Sequence, residues 1–216
     1  VYDPFYCEGS VVAHLNRLGL EKVYNRKEDF YAAQREGGVP AHDVLVTNPP
    51  FSADHLERTL RFAAHDNHGR PFLLLLPNFV WRKKYYETAV EGASPVFLVP
   101  AKRYTFWSPV RAELRGRPEH ERGRAASTTP FECFWYLSLG PWTEELVQGW
   151  RRKHEAQSGC TLVLGADAAR AGELPERAVP PKNHEKRANP KARKKLRKKG
   201  GAGAPVAKGQ IGVGGW

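Results

Sequence analysis

Apolar residues along the first 170 positions form two kinds of pattern, short continuous runs and longer stretches with helical spacing. The short runs predict strands at Val1–Tyr2, Lys22–Asn25, Asp43–Thr47, Phe72–Leu76, Val96–Val99 and Phe131–Leu139. The helical spacing predicts helices over Ser10–Leu18, Ala53–Ala64, Val80–Val90 and Thr143–Gln157. Ser10 is the predicted N-cap of the first helix, and Gly19 its end.

The order of these elements predicts an α/β fold. Strands separated by helices of about 10–15 residues favour a doubly wound, mostly parallel sheet with helices on both faces. The last two predicted strands follow each other without a clear helix, so we expect an antiparallel pair at one edge. The segment between them, Ser108–Pro130, is rich in Arg, Gly and Pro. A loop of this length inside a domain is more often functional or mobile than ordinary.

Composition divides the chain into residues 1–170, which form one domain, and a basic tail, residues 171–216. The net charge is +11, but the tail holds twelve Lys and Arg against three Glu, which leaves only +2 for the domain. The tail lacks hydrophobic periodicity, which predicts disorder. Its basic run Lys191–Lys199 would suit phosphate contacts or nuclear or nucleolar import, and could also be a solvated run without function.

Several other classes of protein are disfavoured. No run approaches the roughly 20 apolar residues that span a bilayer, so no membrane partner is expected. There is no secretory signal and no starting Met, and we expect a fragment of a longer protein. The three cysteines, Cys7, Cys133 and Cys160, are widely spaced, which favours reduced thiols in an intracellular protein. Neither cysteine nor histidine spacing matches a metal site.

The most informative motif is Asn48-Pro49-Pro50-Phe51, directly after the apolar run Val44–Val46. Two prolines cannot continue a central strand, and they hold the chain in an extended turn. This corner presents an amide, a carbonyl and an aromatic ring. The Asn48 amide oxygen and the Pro49 carbonyl could accept both protons of an exocyclic NH2 group, and Phe51 could stack on its ring. The prolines could also simply end a strand.

A second motif, Asp3-Pro4-Phe5-Tyr6-Cys7-Glu8-Gly9-Ser10, leads from the first predicted strand into the first helix. Ligands in doubly wound sheets bind at the carboxyl ends of the strands. Glycine in such a turn allows the backbone to approach a ligand closely, although it is also an ordinary turn residue.

Together, DPFYCEGS and DVLVTNPPF resemble motifs I and IV of class I S-adenosylmethionine-dependent methyltransferases that act on amino nitrogens. That family includes adenine-N6 and cytosine-N4 DNA enzymes, rRNA enzymes and release-factor glutamine enzymes. The first string is similar to the family's DPFxGSGT, with Cys7 in place of the usual glycine and Glu8 in place of a small residue. The motif order is like that of the gamma-type enzymes, and the resemblance covers roughly residues 1–140.

The resemblance implies a seven-stranded Rossmann-like sheet with an antiparallel edge strand, and S-adenosylmethionine as the cofactor. Asp3, Cys7 and Gly9 would line its methionine and ribose, and Asn25 stands where the family often has a ribose-binding acid. Glu28-Asp29-Phe30 resembles motif III, in which an Asp accepts from the adenine amino group and an aromatic residue flanks the ring. The alternative is that Asp29 lies in a solvated turn.

The expected reaction is in-line methyl transfer to a nitrogen aimed by Asn48 and Pro49. A target base within a duplex would have to be flipped out. Aromatic residues beside Arg suit base stacking and phosphate contact, although Tyr104 and Phe106 could be core positions of an edge strand. The candidate substrate-binding residues are Arg103, Tyr104, Phe106 and Trp107.

These features favour methylation of adenine N6 in nucleic acid, with RNA preferred slightly over DNA, and a partner subunit could supply target recognition. Guanine N2 and a protein glutamine present the same NH2 group and stay open as substrates. A catalytically inactive methyltransferase fold that binds nucleic acid is the alternative outside enzymes, because of Cys7 and the non-acidic Asn25.

Overall fold

The computed structural model describes residues 1–106 and 131–180. Trp107, the predicted loop Ser108–Pro130, and residues 181–216 with the basic run Lys191–Lys199 lie outside the described residues. The strands are β1 (Leu45–Thr47), β2 (Phe72–Pro77), β3 (Val96–Val99), β4 (Cys133–Ser138) and β5 (Thr161–Val163). The helices are α1 (Ser10–Arg17), α2 (Phe30–Arg35), α3 (His55–Arg61), α4 (Tyr86–Ala89), α5 (Thr143–Trp150), α6 (Ala156–Ser158) and α7 (Gly165–Arg170).

The α/β class is confirmed, but the sheet is mixed. Its five strands lie in the order β1-β2-β4-β3-β5. Only β1 and β2 pair in parallel, and β4 runs antiparallel to both β2 and β3. For the part of the chain that the structure describes, the expectation of a seven-stranded, mostly parallel sheet is therefore corrected to five strands with one parallel pair. The predicted antiparallel pairing of the last two strands is confirmed, although β4 lies inside the sheet and the antiparallel edge strand is β5.

Two isolated bridges continue the parallel side of the sheet beyond β1. Tyr2 pairs in parallel with Leu45 on one side and with Tyr24 on the other. Backbone hydrogen bonds from Tyr2 N to Val44 O and from Asp3 N to Tyr24 O support both bridges. The segments that end in Asp3 and Asn25 therefore run in the same direction as β1 and β2, and all four end at one edge of the sheet.

The main core covers one face of the sheet. Leu74, Leu76, Phe97 and Tyr136 are fully buried there. The continuous apolar run of β2 is typical of a strand that is buried on both faces. A smaller cluster of Val96, Leu137, Val147 and Leu162 lies on the opposite face beneath α5.

Helix boundaries differ from the predictions where backbone geometry or tertiary contacts intervene. Gly9 is the N-cap of α1, and neither it nor Ser10 provides a side-chain cap. The predicted helix Val80–Val90 is divided, because Lys83 is extended between a 3-10 turn and α4. In the middle of that turn, the Trp81 amide donates to the Tyr136 hydroxyl. Helix α2, strand β5 and helix α7 were not predicted.

The domain boundary lies at Pro180, and not at residue 170 as predicted. Leu174 and Ala178 are buried in the main core, and Asn78 donates from its side-chain amide to the Ala178 carbonyl. Residues 171–180 therefore belong to the domain. The sequence analysis missed these two core positions because the segment is rich in Pro and Glu and has no hydrophobic periodicity.

Candidate active site

The carboxyl edge of the parallel segments gathers the residues that carry both sequence motifs. Asp3 follows the bridged Tyr2, Asn25 follows Tyr24, and Asn48 follows β1. The Thr47 hydroxyl donates to Asp3 Oδ1 at 2.5 Å, and this bond joins the two motifs directly. Residues separated by 44 positions in the chain thus lie side by side.

Asp3 is a buried carboxylate, with 7% of its surface exposed. The backbone amide of Phe5 also donates to its Oδ1, at 3.2 Å. Among residues 1–106 and 131–180, no basic side chain forms an ion pair with it. Burial raises the pKa of Asp3 to about 6, although the two hydrogen bonds lower it. At neutral pH the site therefore holds a largely desolvated negative charge, which a nearby cation would stabilise.

Asn25 places an amide oxygen next to this carboxylate. The side chain is 8% exposed, and its Nδ2 donates to the Asp3 carbonyl at 3.1 Å. Its Oδ1 is buried without a hydrogen-bond partner among the described residues. A buried acceptor without a donor costs about 1–3 kcal/mol, so a ligand hydroxyl or N–H group would relieve this cost.

The bend between Asp3 and α1 contains two residues with left-handed backbone conformations, and only Cys7 is strained by it. Cys7 has a φ of 50° and Gly9 a φ of 72°, both in the left-handed region. The Gly9 amide donates to the Tyr6 carbonyl at 2.7 Å, and a Cβ at Gly9 would lie 2.8 Å from the Tyr6 ring. The positive φ favours glycine at position 9, and any larger residue there would also have to displace the Tyr6 ring. The exposed Cys7 adopts a conformation that glycine would adopt without strain.

The proline corner presents the predicted amide to solvent. Asn48 and Pro50 are exposed, Pro49 is buried, and Phe51 is half-buried. Within the described residues, neither the Asn48 side chain nor the Pro49 carbonyl forms an intramolecular hydrogen bond. Both acceptors that the sequence assigned to a substrate amino group thus remain available in this part of the chain.

Phe51 is part of a group of aromatic side chains. Its ring centroid lies 6.0 Å from that of Phe106 and 5.8 Å from that of Phe131. Phe131 in turn lies 5.2 Å from Phe79. The corner is therefore backed by an aromatic wall that combines residues from distant parts of the chain.

The candidate substrate-binding residues divide into two groups. Tyr104 and Phe106 are half-buried near this wall, and the Tyr104 hydroxyl accepts from Trp135 Nε1 at 2.9 Å. Their segment forms no strand, so they are not core positions of an edge strand. Arg103 is exposed, donates to the Phe131 carbonyl and lies 3.8 Å from Glu132. Trp107 lies outside the described residues.

Asp29 and Phe30 have structural roles in the described fold. The Asp29 carboxylate caps α2 by accepting from the amides of Tyr31 and Ala32. Phe30 is 3% exposed, and its ring packs edge-on against Phe62 at 4.9 Å. Phe30 is thus a core residue, and the helix cap engages Oδ1 of Asp29.

Sequence reasoning missed two residues at this edge. Thr47 ends β1 and holds the Asp3 carboxylate. Asn78, directly after β2, is 2% exposed and has a buried Oδ1 without a partner in the described part of the chain. The available signal was a polar residue at the end of a strand parallel to β1, which places it at the same edge.

Comparisons with known proteins found no match: no family model, no curated protein and no solved structure matches this chain. Within the described residues, no group of His, Cys, Asp and Glu could hold a metal ion. None of the helices there combines the length and apolar character needed to cross a bilayer.

Proposed function

We propose that this chain is an S-adenosylmethionine-dependent methyltransferase that acts on an exocyclic amino group of a nucleic-acid base, with adenine N6 as the preferred target. The observation that carries the proposal is the buried Asp3 carboxylate, which forms no ion pair with a basic side chain of the described residues. It is hydrogen-bonded to Thr47, the residue directly before the exposed Asn48 amide. This arrangement suits a cationic ligand at Asp3 and a substrate NH2 group at the neighbouring Asn48.

The described residues fit such a cofactor. The buried Asp3 carboxylate suits a positively charged ligand, and Asn25 Oδ1, which has no partner in the described part of the chain, suits a hydroxyl donor. The bend at Cys7 and Gly9 brings backbone to the same edge, and Gly9 adds no side chain there. S-adenosylmethionine, when bound, would supply an electrophilic methyl group.

The proline corner would position the nitrogen that is methylated. An aromatic amine is a poor nucleophile because its lone pair is delocalised into the ring. Two hydrogen bonds, to Asn48 Oδ1 and the Pro49 carbonyl, would favour a pyramidal nitrogen and orient its lone pair. Such positioning contributes several kcal/mol where water is excluded. No strong base is needed, because the methylated nitrogen is acidic and loses its proton readily.

The order of extended segments supports the fold that the resemblance implies. With the two bridged segments, seven chain segments lie side by side, and those containing Tyr24, Tyr2, β1 and β2 are mutually parallel. Strand β4 runs the opposite way between β2 and β3, and β5 runs the opposite way at the edge, so five of these seven segments share one direction. We infer that the sheet is a shortened version of the seven-stranded methyltransferase sheet.

Two measurements test the proposal. Isothermal titration calorimetry with S-adenosylmethionine should show binding to the wild-type chain and weaker binding to Asp3→Asn. Nucleoside mass spectrometry of RNA and DNA oligonucleotides, after incubation with methyl-labelled cofactor, should detect N6-methyladenine. A folded chain that binds no cofactor would refute the proposal and favour an inactive nucleic-acid-binding fold. Label on guanine or on a glutamine-containing peptide would correct the substrate.

A further inference from the structure

A basic cleft lies at the opposite edge of the sheet, where β1 and β2 begin. Its volume is about 890 Å³. We define the basic cleft by its arginines, Arg35, Arg58, Arg61 and Arg70; His42, His65 and His68 also line it. Asp66 is the only carboxylate among the described residues that line it, and Gln34 donates to that carboxylate at 2.9 Å.

Two of the guanidinium groups are held in place by contacts with α3 and α2. Arg61 donates from Nε and Nη2 to Glu57 Oε1, at 3.2 and 3.1 Å. The Arg58 guanidinium carbon lies 3.5 Å from the centroid of the Tyr31 ring. These contacts limit the side-chain entropy that the two groups would lose when they bind a ligand.

The other two guanidinium groups, those of Arg35 and Arg70, have no ion pair with any described residue. Arg35 is in the last turn of α2 and is exposed, and Arg70 is half-exposed. Their charges are therefore not compensated within the described part of the chain.

The loop that carries Arg70 is a closed turn. The Arg70 amide donates to the Asn67 carbonyl at 3.0 Å, and His68 and Gly69 both have positive φ. Asn67 is 1% exposed, donates to the Arg70 carbonyl and accepts from His42 Nε2 at 2.7 Å. A left-handed conformation at His68 costs about 1–2 kcal/mol, which these buried hydrogen bonds offset. The loop is thus preorganised, with Arg70 at the rim.

We propose that the basic cleft binds phosphate groups of a nucleic-acid strand. Guanidinium groups match phosphate oxygens in a bidentate geometry, and four of them line one concave surface. The inference rests on the proposed function, because it assigns a second contact to the same substrate. The cleft and the Asn48 corner lie at opposite ends of β1. The distance between them is the length of β1 with its flanking residues, roughly 20 Å. About six base pairs of duplex, or a short single strand, span that distance.

The test compares two variants that remove the same charge. Arg35→Gln/Arg70→Gln changes the basic cleft, and Arg152→Gln/Lys153→Gln changes two exposed cations elsewhere on the domain. Fluorescence anisotropy would measure the affinity of the full chain, without cofactor, for a labelled single-stranded RNA and a DNA duplex across a salt series. For single-stranded RNA, loss of two phosphate contacts should reduce the steepness of log Kobs against log salt concentration by about 1.4. It should also weaken binding roughly 20-fold near 0.1 M salt. The control should change little.

Equal losses in both double variants, or no loss in the first, would overturn the proposal. If the chain binds inorganic pyrophosphate in the cleft but binds no oligonucleotide, the proposal of a nucleic-acid strand is overturned and a small phosphate ligand takes its place. Urea unfolding of each variant checks that the fold persists. The binding assay needs no methyl transfer. If the chain is inactive as a methyltransferase but Arg35→Gln/Arg70→Gln still weakens its binding to nucleic acid, the proposed function is refuted and the phosphate-binding cleft is not.

Discussion

Replacing Asp3 with asparagine removes a buried charge while retaining an oxygen that can accept hydrogen bonds from Thr47 and Phe5. Burial raises the pKa of Asp3 from 3.8 to about 6. The folded chain therefore binds this proton more tightly than the unfolded chain. The resulting stabilisation is complete below about pH 3.8 and is lost as the pH rises through about 6.

The magnitude follows from the two pKa values. A difference of about two between the folded and unfolded pKa is worth about 3 kcal/mol, because each pKa unit corresponds to about 1.36 kcal/mol. Between about pH 4.5 and about pH 7.5, the Asp3 contribution to the free energy of unfolding should fall by about 2 kcal/mol. The amide side chain of Asp3→Asn does not titrate, so the free energy of unfolding of the variant does not fall in this way as the pH rises.

Urea unfolding at both pH values measures the effect. We expect the free energy of unfolding of Asp3→Asn, relative to wild type, to rise by about 2 kcal/mol from the lower to the higher pH. Any constant cost of the amide cancels in this difference. Asp43→Asn, which removes an exposed carboxylate, serves as the control and should show little change. A difference below about 0.5 kcal/mol for Asp3→Asn would show that burial does not perturb this carboxylate.

The remaining predictions concern the corner, the bend and the domain boundary. Asn48→Ala should abolish methyl transfer while the cofactor affinity measured by calorimetry stays within a few-fold, and a large loss of affinity would contradict its assignment to the substrate. Gly9→Ala should lower the free energy of unfolding more than Gly37→Ala, because both have positive φ but only a Cβ at position 9 meets a neighbouring ring; equal urea midpoints would contradict this. A chain that ends after Arg170 loses two buried apolar side chains, so thermal denaturation should show a loss of roughly 2–5 kcal/mol relative to a chain that ends after Pro180. Equal melting temperatures would place residues 171–180 outside the cooperative unit.

Local sequence patterns were sufficient to predict the elements that carry the candidate site. The apolar run before Asn48 predicted a buried strand, and the two prolines predicted where it ends. Each of the two motifs follows a predicted strand, and in the fold the Asp3–Thr47 hydrogen bond joins them at one edge of the sheet. These inferences succeeded because they depend on local backbone chemistry and on the rule that parallel strands end at the same edge.

Other features depend on contacts between distant segments and could be read only from the folded chain. Strand β4 lies between β2 and β3 through pairs such as Phe72 with Ser138, which local patterns do not encode. The burial that perturbs Asp3, and the packing that turns Phe30 into a core residue, depend on side chains from remote parts of the chain. The basic cleft combines arginines of α2, of α3 and of the loop before β2, which look like separate solvated charges along the sequence. In each case the deciding quantity is the distance between residues far apart in the chain, and the packing of the sheet and its helices fixes it.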